Sequence, residues 1–469
     1  MPASELDLVL SGGRALLPDG TLEIVDLGIR DGRIAGIAAT GTLQGASRVD
    51  LSGLVVLPGV IDAHIHLGHG SDITRPRVAA DADAESASAA AGGVTAFVSY
   101  LIADGPHLAG PLDEAIAAAG AGSRIDFGFH LVVATEEQLA EVERAVAERG
   151  VTSFKLFMYN RGGEGARLGL PDTDDGFLFR LLEATRRAGA IVCPHCENIE
   201  VGWVLRDRLV GADPDGSGGL AAWNDSRPPL LEAEAVHRVA SLARLSDARF
   251  HMVHCSSGAG LEAATTQRRL GAKLTIETCV QYLTHTVDSD QGLKAKVNPP
   301  VRAAEDVEAL WRGLADGSID TVATDHVHRD ATAKIGGVWK ASPGFPGMET
   351  LLPIMLSEGH HRRGLPLGSI ARLLSGHPAR IMGMPGKGRI GVGFDADLAV
   401  VDLDALWTVR ERDMHSSAGF SIYDGWEVRG RVIHTLSRGA FALRDGMLCD
   451  DRVGKGRYIE RRSRSAGTA

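Results

Sequence analysis

His64 and His66 stand one residue apart inside the apolar run PGVIDAHIHLG at residues 58–68. On a strand, side chains at i and i+2 point to the same face, so the two imidazoles converge on one point in space. Imidazole is a common ligand for divalent transition metals. In a chain with 17 His among 469 residues an H-x-H pair also arises by chance, so the pair needs partners farther along. The candidates are Lys155 in SFKLFMYN, His195 in AIVCPHCENI, His254 in HMVHCSS and Asp325 in VATDHV.

Each candidate has a plainer use. A histidine can be a satisfied core side chain, Asp325 can cap a following helix and Lys155 can extend to the end of its strand. Five such residues at the ends of apolar strands are hard to assemble by chance, and four imidazoles with a carboxylate suit zinc or a similar divalent ion. Lys155 lies among Phe154, Leu156, Phe157 and Met158. Burial there favours the neutral amine, which reacts with carbon dioxide; the carbamate formed is a carboxylate-like group able to bridge two ions.

These residues have to be positioned by a repeating scaffold. Apolar, β-rich runs at 60–67, 94–101, 125–133, 152–159, 190–195, 250–255, 273–279 and 321–325 alternate with amphipathic or Ala-rich segments. The clearest helix is TEEQLAEVERAVAERG, with Thr135 as N-cap, Gln138 at the capping-box position, Leu139, Val142 and Val146 at helical spacing and Gly150 as the stop. Further helices are predicted over 177–188, 232–245, 260–270, 306–314 and 369–382. Eight β-α units predict an α/β fold, a (β/α)8 TIM-like barrel, whose chemistry lies at the C-terminal ends of the strands. The connection 198–230, with its tract GADPDGSGG, predicts a mobile surface loop near the mouth.

The two ends of the chain carry short strands with turn signals and predict a small β-sandwich domain built from both termini. The expected division is 1–57 and 387–450 for that domain, 58–386 for the barrel and 451–469 for a basic tail, read as a solvated end. The formal balance of 49 basic and 60 acidic residues, −11, disfavours nucleic acid and anionic membranes as partners. The N-terminus MPASELDLVL lacks the basic and long apolar regions of a signal peptide, which predicts a cytoplasmic protein. Five cysteines make no disulfide framework in a chain of this length. Cys193 and Cys196 form CPHC, similar to a thiol redox motif, but they lie where a strand runs into a loop and not at the start of a helix.

The ordered set PGVIDAHIHLG, SFKLFMYN, HCEN, HCSS, ETCVQYL, NPPVR, TDH, PGMETLLPIMLSEG, DADLAVVD, SIYDGWEVRG and GRYIER spans nearly the whole chain. It resembles the cyclic-amide branch of the amidohydrolase superfamily, especially the dihydropyrimidinases and hydantoinases. The resemblance implies two divalent metal ions, with zinc the first choice and manganese, cobalt or iron as alternatives. It assigns His64, His66 and Asp325 to one ion and His195 and His254 to the other, with Lys155 as N6-carboxylysine and a hydroxide between them. It further implies hydrolytic opening of a cyclic amide or imide, with Asp325 carrying the proton from the attacking water to the leaving ring nitrogen. Relatives are commonly homo-oligomers, tetramers or dimers.

The substrate loops depart from the family pattern. A tyrosine usually follows the bridging lysine by five residues; here Asn160 stands there and Tyr159 precedes it. Asn298 occupies a ring-binding position usually held by serine. Pro343, in Ser342-Pro343-Gly344, replaces an asparagine and retains only a carbonyl acceptor. Tyr159, Asn298 and Pro343 are the substrate-binding candidates. Gly68 stands where dihydroorotases carry a carboxylate-binding arginine, and Arg75 and Arg77 in the same loop are candidates for an anionic substituent. An allantoinase with the same metal centre is the nearest alternative, and a non-catalytic relative reused for protein interaction is the other. Such scaffolds tend to lose metal ligands, whereas all six positions are filled here.

Overall fold

In the computed structural model of the protein, residues 6–463 are described. Two sheets organise the chain. The first consists of parallel strands in sequential order: Val60–His66, Val94–Leu101, Asp126–Val132, Ser153–Phe157, Ile191–His195, Arg249–Met252, Lys273–Cys279 and a short eighth strand. The eighth is split. Thr321–Ala323 pairs with Lys273–Cys279, while His326–Val327 pairs with Val60–His66, so the eighth strand joins the last to the first and the sheet closes into a barrel. The predicted strand 321–325 is interrupted because Asp325 adopts a left-handed backbone, φ 53°, which cannot continue a ladder.

Every residue of the first six of these strands except Arg249, at the start of the sixth, is buried, as expected for a parallel sheet covered by helices on its outside and filled by side chains within. The helix predicted after Thr135 runs Glu136–Arg149. Thr135 Oγ1 accepts from the Gln138 amide, and Gly150 ends the helix at φ 61°. The helix predicted over 369–382 is continuous but not uniform: Leu367–Ala371 and His377–Met382 are α, and Arg372–Gly376 between them is a wider π turn. Pro378, just beyond it, has no N–H to return to the preceding turn.

The second sheet is mixed and is assembled from both ends of the chain. Leu6–Leu16 pairs antiparallel with Leu22–Arg30 and parallel with Val55–Pro58, which pairs antiparallel with Leu398–Thr408 and so joins the two ends. Glu427–Ser437, Ala440–Arg444 and Met447–Leu448 extend it. The chain passes from this sheet into the first barrel strand through Gly59, where a Cβ atom would lie 2.2 Å from Thr95 Oγ1. Only glycine allows that approach.

A buried ion cluster ties the sheets together. Lys387 Nζ lies 2.8 Å from Asp126 of the third barrel strand, 2.6 Å from Asp397 and 3.2 Å from Asp395. Removing one member of a buried pair leaves a charge without its counterion, typically a loss of about 3–5 kcal/mol. Lys387→Met is therefore expected to lower the melting temperature by several degrees in a thermal scan; an unchanged transition would show that the cluster is not a tie between the sheets.

Two expectations are corrected. The connection 198–230 is not a long loop but two helices, Ile199–Ala212 and Gly219–Ser226. Asn198 caps the first by accepting from the Val201 amide, and the Gly-Pro-Asp tract shrinks to a turn in which Asp213 accepts from the Ser217 and Gly218 amides. The basic tail is not a solvated end either. Tyr458 forms a bridge with Phe127, and buried Arg461 donates to Ser153 Oγ and to the Phe129 carbonyl on the floor of the barrel. Residues 1–5 and 464–469, parts of the expected terminal segments, lie outside the described residues. No helix among the described residues is long and apolar enough to cross a membrane.

Candidate metal centre

The barrel brings the six predicted residues to one cavity at the C-terminal ends of its strands, lined by His64, His66, Lys155, His195, His254 and Asp325. Each is buried. His64 and His66, on one face of the first strand, both turn Nε2 to Asp325 Oδ1, at 3.1 and 3.3 Å. The His195 and His254 rings meet edge to face at 4.4 Å between centroids, and His254 lies 5.3 Å from His64. Lys155 Nζ sits 4.6 Å from the centre of the Tyr100 ring and 5.2 Å from that of Phe157.

The backbone adds a second signature. His254 (φ 42°) and Asp325 (φ 53°) are both in the left-handed region, which costs about 1–2 kcal/mol for a residue with a Cβ atom. Such strain persists where the surroundings over-determine it, and it clusters at functional sites. Here it turns both side chains inward at the point where each strand ends.

Three acidic side chains support these groups, and none was singled out from the sequence. Glu277, on the seventh strand, accepts from His64 Nδ1 at 2.6 Å, sits 3.3 Å from His251 Nε2 and accepts from the His254 amide at 3.2 Å. A carboxylate on Nδ1 favours the proton there and leaves His64 Nε2 as the atom able to ligate. Glu197 Oε2 lies 3.4 Å from His195 Nε2 and pairs with Arg227, and its carboxyl is lowered to about 2 because Arg227 and His195 outweigh its burial. Asp62 accepts from Thr324 Oγ1 at 2.5 Å, beside Asp325, and burial raises its carboxyl to about 6. Glu277 was legible only as an inward position of ETCVQYL; its partner His64 is 213 residues away.

The donor set fits a pair of divalent ions. Burial pushes His66 down to about 4 and His254 well below the ordinary imidazole range, so both are neutral and able to ligate. Burial likewise lowers the Lys155 amine, the direction that carbamate formation needs. Among the described residues, His66 Nδ1 and both ring nitrogens of His254 are buried without a hydrogen-bond partner. Buried polar atoms in native proteins are almost always satisfied, so this concentration marks atoms meant for a ligand. Glu277→Gln is expected to weaken metal binding by about 10–100-fold in a competitive chelator titration; unchanged affinity would remove its orienting role.

The substrate candidates separate clearly. Tyr159, in the turn that follows the strand Ser153–Phe157, lines the cavity together with Lys155 and Phe157, and its ring meets His195 edge to face at 4.6 Å. Asn160 turns away and donates to the Pro171 carbonyl at 2.5 Å. Asn298 and Pro343 line the same cavity. Lys296 and Lys334 pin the Pro343 loop by donating to the carbonyls of Val338, Ala341 and Ser342. Arg75 and Arg77 do not line it; they pair with Glu114 and Asp72. A side chain at position 68 is excluded, since its Cβ would lie 1.7 Å from the Asp72 carbonyl oxygen. Cys193 and Cys196 are buried and unpaired in different apolar clusters, with burial raising both thiols, so they are not a reactive pair.

A (β/α)8 barrel with imidazoles, a lysine and a carboxylate gathered at its strand ends is the arrangement of a metal-dependent hydrolase, and its donor set fits a binuclear centre. The chain belongs to the amidohydrolase family, whose profile matches residues 55–441. It is 35% identical to an allantoinase of Rubrobacter xylanophilus over 464 residues, 96% of this chain and 97% of that one. It is 34% identical to a D-hydantoinase of Rhizobium radiobacter, covering 94% of this chain and 96% of that one. Among solved structures, a D-hydantoinase superposes with a TM-score of 0.89 at 30% identity, covering 98% of this chain and 99% of the other. A dihydropyrimidinase of Brevibacillus agri gives 0.88 at 29%, covering 97% and 99%.

Proposed function

We propose that the protein is a cyclic amidase that opens dihydropyrimidine- or hydantoin-type rings by hydrolysis. The observation that carries this reading is the convergence of His64, His66, Lys155, His195, His254 and Asp325 on one cavity, with buried imidazole nitrogens left without protein partners. His64, His66 and Asp325 would hold one divalent ion and His195 and His254 the other, with Lys155, as N6-carboxylysine, completing the donor set. Zinc is the first choice for this nitrogen and oxygen donor set, with manganese, cobalt or iron as substitutes. When bound, the ions lower the pKa of a water and polarise the substrate carbonyl.

The protein's own groups do the rest. Asp325 accepts the proton of the attacking water and returns it to the ring nitrogen as the C–N bond breaks. Tyr159 donates its phenolic proton to the oxygen on which charge develops. Asn298 and the Pro343 carbonyl bind the ring amide. Glu277 and Glu197 keep His64 and His195 in the tautomers that ligate. A non-catalytic scaffold has no use for a complete donor set held in strained backbone.

Allantoin is a second substrate reading, since it carries the hydantoin ring and an allantoinase is among the relatives. We further propose a cytoplasmic homo-oligomer, tetramer or dimer, with no nucleic-acid or membrane partner; four buried free thiols accord with a reducing compartment. A hydrolysis panel on metal-loaded protein, covering dihydrouracil, hydantoin, 5-substituted hydantoins, allantoin, dihydroorotate and simple cyclic imides, tests the reading. Turnover of at least one hydantoin or dihydropyrimidine is expected; none with any cyclic amide or imide would overturn it.

A further inference from the structure

Asn298 is the one amide side chain among the described residues that line the cavity, in a wall that also includes Ile73, Ile102, Leu168, Val297 and Val327. A primary amide can offer a ligand either an acceptor oxygen or an N–H donor, and which of the two it offers decides which ring atom it recognises. Trp223 Nε1 lies 3.1 Å from Asn298 Oδ1 and 3.0 Å from the Val297 carbonyl oxygen. An indole N–H only donates, so it engages the amide oxygen and leaves Nδ2 to donate to a ligand.

Trp223 is held firmly enough to keep that choice. It is buried, on the helix Gly219–Ser226, with Lys296 Nζ 3.9 Å and the Arg227 guanidinium 4.8 Å from its ring centre. Ser226 Oγ donates to the Trp223 carbonyl at 2.7 Å. The neighbouring Asn224 accepts from Nη1 of buried Arg302 at 2.9 Å, and Arg302 Nε donates at 3.0 Å to Ser256 Oγ, two residues past His254. The indole is thereby tied both to the segment that carries Asn298 and to the strand end that carries a candidate metal ligand.

We propose that Trp223 is a specificity-determining positioning residue, which holds the Asn298 amide so that Nδ2 donates to the ring carbonyl that is not attacked. The cavity then favours rings with an oxygen acceptor at that carbonyl. The proposal rests on the cyclic-amidase reading and adds to it a residue that acts on the substrate only through Asn298. Opening a hydantoin or dihydropyrimidine ring to an N-carbamoyl acid breaks the bond between N3 and C4 and leaves the C2 carbonyl intact. Hydantoin against 2-thiohydantoin, and dihydrouracil against its 2-thio analogue, therefore test it: each pair keeps the reacting amide and exchanges the C2 oxygen for sulfur, a weaker acceptor.

The readout is the ratio of kcat/KM for the oxygen ring to that for the sulfur ring on metal-loaded protein, in which the intrinsic reactivities cancel between variants; a sulfur ring that is not turned over is scored by its inhibition constant. Trp223→Phe keeps an aromatic ring against Lys296 and Arg227 and removes the N–H. It is expected to lower the ratio by about three- to tenfold, Asn298→Ala to lower it equally, and the double variant to lower it no further. A change confined to packing would lower turnover of both rings alike and leave the ratio where it was. An unchanged ratio in Asn298→Ala would overturn the donation from Nδ2, whether or not Trp223→Phe folds. An unchanged ratio in Trp223→Phe beside a lowered one in Asn298→Ala, or effects that add in the double variant, would overturn the role of Trp223 while leaving the cyclic-amidase reading intact. Absence of turnover of all four rings by the wild-type enzyme would overturn both readings together.

Discussion

Lys155→Ala is expected to leave a folded protein that binds fewer than two divalent ions per chain and hydrolyses no cyclic amide above background. The lysine is 1% exposed, on the fourth strand beside the strand that carries His195, and among the described residues it forms no ion pair with a carboxylate. An unmodified ammonium would be an unfavourable occupant, because desolvation penalises its charge and the ligands beside it are meant for cations. Conversion to a carbamate would put an anion there, able to offset the charge of the proposed ions. Alanine removes that group. Losing only a hydrogen-bonding partner of a ligand lowers metal affinity by about 10–100-fold, and losing the bridging ligand itself is expected to exceed that. Elemental analysis with a melting curve checks it: full metal content in a folded Lys155→Ala protein would remove Lys155 from the centre.

Asp325→Asn carries the second large effect. Asparagine adopts the left-handed backbone that position 325 requires, φ 53°, more readily than most residues, so this variant spares the fold where alanine would not. It keeps the size of the side chain and removes the charge and the proton-accepting oxygen. General acid–base catalysis typically contributes about 10²–10⁴-fold, and the weakened ion site adds to that. A fall in kcat of at least about a thousandfold, with the melting temperature little changed, is expected in steady-state assays on metal-saturated protein. Turnover within tenfold of wild type would take the proton-carrying role from Asp325.

Much of this was legible because barrels write their chemistry at strand ends. The runs holding His64, His66, Lys155 and His195 are short, apolar and bounded, so the ionisable side chain in each stands out from its neighbours. What escaped depends on pairings distant in sequence. Asp62 meets Thr324 across 262 residues, and Glu277 meets His64 only once the split eighth strand joins the seventh strand to the first. The segment after Asn198 was misread because its Gly, Pro and Asp tract outweighed a good N-cap and a run of helix formers. The tail was misread because its basic composition masks Arg461, whose guanidinium finds oxygen acceptors inside the barrel floor. Arg75 and Arg77 follow the histidine pair in sequence, but proximity in sequence is not proximity to the cavity, and both pair with carboxylates of their own surroundings.

The central claim is that catalysis of ring opening requires two ions held by these six residues. Its most direct test is a titration of metal-stripped protein with a divalent ion, following hydantoin or dihydrouracil hydrolysis at each addition. Activity absent in the stripped protein, rising to a plateau at about two equivalents per chain, is the predicted result. Hydrolysis that persists without metal, or that saturates at one equivalent, would contradict it.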